Sequence, residues 1–134
     1  MESRIFKADV KELDNLFEYS SKLLKILNFS HRDIIMINTA LEEVFVNVAR
    51  YAYDDGGIVE VTLSNDQKTV TFVFKDNGKP FNPLTKKDPN ITAKSEEREV
   101  GGLGIYMVKN IMDEVYYRYE DNHNILTLIK RRNS

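Results

Sequence analysis

The chain has 134 residues, 42% of them apolar and 30% charged, the profile of one ordinary globular domain rather than a disordered segment. A formal net charge of −2 speaks against nucleic acid as the main ligand, because phosphate binding normally needs a basic surface. With no cysteine and only His31 and His123 as histidines, disulfides, zinc-thiolate sites and thiol nucleophiles are excluded, and a histidine-rich metal site or a Ser-His-Asp hydrolase is disfavoured.

In chain order, residues 3 to 8 read as a short strand. Asp9 precedes Glu12 with capping-box spacing, and Leu13, Leu16, Phe17, Leu24 and Leu27 follow with a helical period that ends near Asn28. Ser30 and Asp33 signal a second helix running to about Tyr51, and the cluster Asp54-Asp55-Gly56-Gly57 a turn. Two alternating strands come next, Ile58 to Leu63 and Thr69 to Lys75. From Asn77 to about Val100 there is no hydrophobic period, and a loop of that length is usually functional or disordered. A third helix opens at the glycines and carries Leu103, Ile105, Met107, Val108, Ile111 and Met112. Val115 to Tyr119 and Ile125 to Ile129 form a closing hairpin around Asp121-Asn122-His123-Asn124. The order β-α-α-β-β-loop-α-β-β predicts an α+β fold of one domain over 1–134, helices on one face of a largely antiparallel sheet. No apolar run is long enough to span a bilayer and the N-terminus lacks a signal-peptide core, so a cytoplasmic protein with no membrane partner is expected.

Three constellations could carry chemistry. In the second helix Ile34, Ile37, Leu41, Val44, Phe45 and Val48 form the core stripe. Glu43 and Asn47, four residues apart, lie roughly opposite it, on a face shared with Met36 and Ala40. That face is too apolar for plain solvent surface, so a ligand cation or a water could serve the pair. An exposed acid and amide account for them equally well.

The second constellation is VTFVFKDNGKPFNP, residues 70–83. On a strand Val70, Phe72, Phe74 and Asp76 share one face. Three large apolar groups put that face in the core with a carboxylate at its edge, an acceptor suited to the amino group of a flat heterocycle. Gly78 lets another group approach the backbone. Taken alone, the segment also reads as a simple turn.

Third comes VGGLGIYMVKNIMDEV, residues 100–115. Gly101, Gly102 and Gly104 before an amphipathic helix offer backbone N–H groups to a phosphate, or merely make a sharp turn. The spacing matches neither a Walker loop nor the dinucleotide fingerprint, for Met107 stands where a third glycine would fall.

In this order the three segments resemble the motifs of the GHKL (Bergerat-fold) ATPases, and within them the anti-sigma-factor serine/threonine kinases. Glu43-x-x-x-Asn47 is similar to the N-box, Asp76-x-Gly78-x-Pro80-Phe81 to the adenine-binding box, and Gly102-x-Gly104 to the phosphate-binding box. The resemblance implies a two-layer α/β sandwich that binds ATP or ADP with Mg²⁺. Asn47 would hold the metal, and Glu43 would be the general base for a seryl hydroxyl. Asp76 would meet the adenine amino group beside Gly78, residues 82–100 would form an ATP lid, and Gly101, Gly102, Leu103 and Gly104 would meet the phosphates. It also implies a sigma factor and a small antagonist protein as partners, and allows a homodimer. Val100-Gly101 departs from the Arg-Ser pair frequent in such kinases, and Tyr51 from a histidine; Lys94 and Arg98 are candidate replacements. The competing reading is a module that uses ATP only to switch partners.

Overall fold

The computed structural model of the chain describes residues 2–52, 57–85 and 102–132. Five strands, β1 (Glu2–Lys7), β2 (Ile58–Asn65), β3 (Thr69–Asp76), β4 (Glu114–Glu120) and β5 (His123–Arg131), make one sheet of order β1-β2-β3-β5-β4, every neighbour antiparallel. Three helices, α1 (Leu13–Ile26), α2 (His31–Asn47) and α3 (Gly102–Ile111), complete the α+β architecture expected from the sequence.

Burial alternates along the inner strands as a half-covered sheet requires. Val59, Val61 and Leu63 of β2, Val70, Phe72 and Phe74 of β3, and Leu126 and Leu128 of β5 are buried, while Lys75 between Phe74 and Asp76 is exposed. The predicted stripe of α2 packs on them, with Ile34, Ile37, Leu41, Val44 and Phe45 all buried. Phe45 is inaccessible to solvent and meets Phe6 of β1 edge-on at 6.3 Å; burying a ring of that size contributes roughly 2–3 kcal/mol.

Local chemistry explains the element ends. Asn28, at φ 62°, takes the left-handed position after α1. Around it the Asn28 N–H donates to Lys25 O and the Phe29 N–H to Leu24 O, each at 3.0 Å, the paired bonds that satisfy a helix C-terminus. Ser30 caps α2 by accepting from the Asp33 N–H at 3.1 Å. The expected capping box at Asp9 and Glu12 is different in detail. Asp9 caps a 3-10 turn, Val10–Glu12, through the Lys11 N–H at 3.0 Å, and Glu12 leads into α1 without a side-chain cap.

Two boundaries depart from expectation in ways that matter for function. Regular α2 stops at Asn47, and the backbone widens into a π-helical turn over Val48–Ala52, a distortion often found beside functional groups. The closing hairpin turns on two residues alone, Asp121 at φ 52° and Asn122 at φ 63°, the left-handed pair of a tight hairpin turn. His123 and Asn124, expected in that loop, therefore belong to β5. Of the lid expected over residues 82–100, the described part, 82–85, includes a 3-10 turn at Pro83–Thr85; the rest of it, Lys94, Arg98 and Gly101, and the expected turn at residues 54–57 apart from Gly57, lie outside the described residues.

Candidate functional site

Asp76 ends β3 on the buried face and is 4% exposed. The strand period that buries Phe72 and Phe74 turns its carboxylate the same way. Its Oδ1 accepts from the Gly78 N–H at 2.9 Å and from Asn124 Nδ2 at 3.0 Å. Oδ2 accepts no hydrogen bond among the described residues. One oxygen is tied down and the other presented.

Asn124 is the functional residue that sequence reasoning missed. It stands directly opposite Asp76 in the β3–β5 register and is 5% exposed. Beyond Asp76, its Nδ2 donates to Lys79 O at 2.8 Å, and its Oδ1 accepts from the Phe81 N–H at 3.0 Å and from the Tyr117 hydroxyl. A single amide thus fixes the carboxylate and pins the loop that follows it. Burial pushes the Tyr117 hydroxyl above the usual 10.0, with the Asp76 charge adding to the rise and the Phe81 backbone opposing it. Tyr117 is therefore a proton donor at neutral pH.

These groups edge a small cavity of about 20 Å³, walled by Val44, Asn47 and Val48 of α2, Phe74, Asp76, Phe81, Pro83, Ile105 of α3, Tyr117, Asn124 and Leu126. Asn47 is the last residue of regular α2 and only 5% exposed. Its amide makes no hydrogen bond among the described residues. Its amide atoms are not among the side-chain atoms shut off from solvent without a partner, so a water or a ligand can complete them. Asn47 and Asp76, 29 positions apart in sequence by their numbers, thus wall one apolar hollow together. A wider hollow of about 250 Å³ lies between β1 and α1. On one side Arg4 lies over the Tyr19 ring at 4.5 Å and the Tyr19 hydroxyl donates to Glu2 O at 2.9 Å.

Glu43 is half-buried one turn before Asn47, and it makes no hydrogen bond or ion pair among the described residues. It does not line the cavity; its carboxylate abuts Gly104. Gly102, Leu103 and Gly104 are the first three residues of α3, where backbone N–H groups lack helical acceptors. Gly78 is half-buried and serves Asp76 through its N–H. Four of the predicted residues, Glu43, Asn47, Asp76 and Gly104, thereby converge where α2, β3 and α3 meet. Among the described residues no three acidic or histidine side chains cluster around a metal position. The donor set suits Mg²⁺ carried by phosphates, since that ion keeps its waters and needs one or two protein oxygens.

Residues 6–130 match the model of the histidine kinase-like ATPase domain, and the chain belongs to that family. It is 26% identical over 113 residues to the serine-protein kinase RsbW of Halalkalibacterium halodurans, covering 78% of this chain. Against RsbW of Listeria monocytogenes it is 28% identical over 106 residues, covering 73%. In both cases the match spans 66% of the relative's length. Among solved structures, the RsbU and RsbW domains of a Mycobacterium tuberculosis protein superpose with a TM-score of 0.63 at 17% identity, over 98% of this chain and 33% of that one. The catalytic domain of the histidine kinase ThkA superposes with 0.58 at 16%, over 98% of each. No helix among the described residues is long and apolar enough to cross a membrane.

Proposed function

We propose that this chain is an ATP-binding protein serine/threonine kinase of the anti-sigma-factor kind. It transfers the terminal phosphoryl group of ATP to a seryl hydroxyl of a small antagonist protein, and it sequesters a sigma factor by exchanging partners. The observation that carries the reading is that Asn47 and Asp76, both nearly buried, wall one apolar cavity together with Ile105 of α3.

Adenine offers an amino donor on a flat ring, which suits a carboxylate in a cavity otherwise walled by apolar groups such as Val44, Phe74 and Leu126. The walls leave only about 20 Å³, roughly one water's room, so the cavity must widen to take the ring. The Asn47 amide oxygen would hold Mg²⁺, which when bound neutralises phosphate charge and aligns the transferring group. The first turn of α3 takes the phosphates on its free N–H groups. Glu43, which makes no hydrogen bond or ion pair among the described residues, accepts the seryl proton as the seryl oxygen bonds to phosphorus and ADP leaves. A positioned base of this kind contributes about 10²–10⁴-fold.

Purified protein incubated with labelled ATP and a candidate antagonist tests the reading. Glu43→Gln is expected to keep nucleotide affinity and lose transfer by ~10²-fold or more, whereas Asn47→Ala loses Mg²⁺-dependent binding first. Equal transfer by Glu43→Gln and the parent removes Glu43 as base. Tight ATP binding with no transfer to any partner favours the ATP-switched binding module, for which the Val100-Gly101 replacement speaks.

A further inference from the structure

A glycine inside a helix weakens it relative to alanine, so Gly104, third residue of α3, needs a reason. Backbone freedom is not that reason, because Gly104 sits in a regular helical turn. Space is. A Cβ built on Gly104 would lie 2.0 Å from Glu43 Oε2, 2.5 Å from its Cδ and 3.2 Å from its Cγ. The carboxylate fills the volume any other residue would need. It is half-buried and makes no hydrogen bond or ion pair among the described residues, so no polar partner fixes its rotamer.

We infer that Gly104 is a positioning residue for Glu43: its missing side chain is the slot that holds the base against the phosphate-binding end of α3. The inference rests on the kinase reading for its catalytic consequence, though the contact itself does not. It gives Gly104 a task distinct from meeting phosphates with its N–H. Any side chain at 104 leaves that N–H in place but pushes the carboxylate out. The displacement is sterically easy, since the obstructed atoms are the free end of a flexible side chain, so the fold tolerates what the chemistry does not.

The variant Gly104→Ala separates the two tasks. If 104 is a slot, affinity for ATP and ADP stays within about threefold of the parent, while kcat for transfer falls ~10²-fold, matching Glu43→Gln. The double variant Glu43→Gln/Gly104→Ala is then no worse than either single change, because both remove one function. If 104 matters for phosphate approach instead, both affinities fall tenfold or more, on the order of 1.4 kcal/mol, and the double variant compounds the losses. That outcome overturns the slot. A readout independent of activity is the carboxyl ¹³C resonance of Glu43 in nucleotide-free protein. It moves in Gly104→Ala and stays in Asn110→Ala, an exposed change on the same helix. An unmoved Glu43 resonance in folded Gly104→Ala refutes the contact, whether or not the parent phosphorylates anything. A moved resonance in a parent without transfer upholds the slot and sinks the kinase reading alone.

Discussion

Replacing Asn124 by alanine removes four hydrogen bonds at once: to Asp76 Oδ1 at 3.0 Å, to Lys79 O at 2.8 Å, from the Phe81 N–H at 3.0 Å and from the Tyr117 hydroxyl. At about 1 kcal/mol net apiece the loss approaches ~4 kcal/mol. Lys79 is exposed and Tyr117 half-buried, so both can turn to water. Asp76 Oδ1 keeps the Gly78 N–H. The lasting penalty is then about 2–3 kcal/mol, which for a chain of this size lowers the melting midpoint by roughly 8–12 °C. Nucleotide binding weakens as well, because the Asp76 carboxylate, left with the Gly78 N–H alone, is less firmly oriented toward the adenine it is proposed to meet. Affinity for ATP and ADP drops about tenfold, and equally, since both carry adenine. Calorimetry of unfolding and of nucleotide binding read the two effects on one sample. A midpoint within about 2 °C of the parent, with unchanged affinity, would refute the clamp, because bonds worth ~1 kcal/mol each cannot vanish unnoticed.

Asp76→Asn replaces the presented acceptor by a group that can offer an N–H to the adenine amino group, so ATP and ADP affinities fall together by about tenfold or more; titration calorimetry that finds either unchanged takes Asp76 out of the site. Tyr117 gives a pH signature. Burial raises its folded pKa above 10.0, so its contribution is fully present below pH 10 and is lost as pH rises through the folded value. Tyr117→Phe should therefore flatten the alkaline decline in stability measured by denaturant unfolding above about pH 10, and a decline identical to the parent's would deny it that part.

Much of this arrangement is legible in the residues because period and chemistry coincide. The α2 stripe follows from helical spacing, and Asp76 is found on the inner face because Val70, Phe72 and Phe74 fix the phase of β3. Glu43 and Asn47 stand out as polar groups on an otherwise apolar face. Asn124 was hidden for a local reason. Asp121, Asn122, His123 and Asn124 all look like turn residues, and nothing in composition tells a two-residue turn from a four-residue one. Only the left-handed φ values of Asp121 and Asn122 move Asn124 into the strand. Its partner lies 48 residues away, beyond the reach of any local pattern. The contact of Glu43 with Gly104 is hidden likewise, since a glycine records space and the sequence does not say what fills it.

The antiparallel partnership of β3 with β5 has a consequence for how the molecule comes into being. The early hairpin β2–β3 can form from neighbours in the chain, and it delivers Asp76 with its Gly78 bond but with no side-chain clamp. That clamp waits until α3 and β4 have been made and β5 has closed a loop of 48 residues onto β3, an entropic step much dearer than hairpin closure. A chain still being synthesised therefore holds a sheet edge and a loosely hung carboxylate, without the clamp that the proposed adenine site needs. Competence for nucleotide arrives late and all at once, with the strand that carries Asn124.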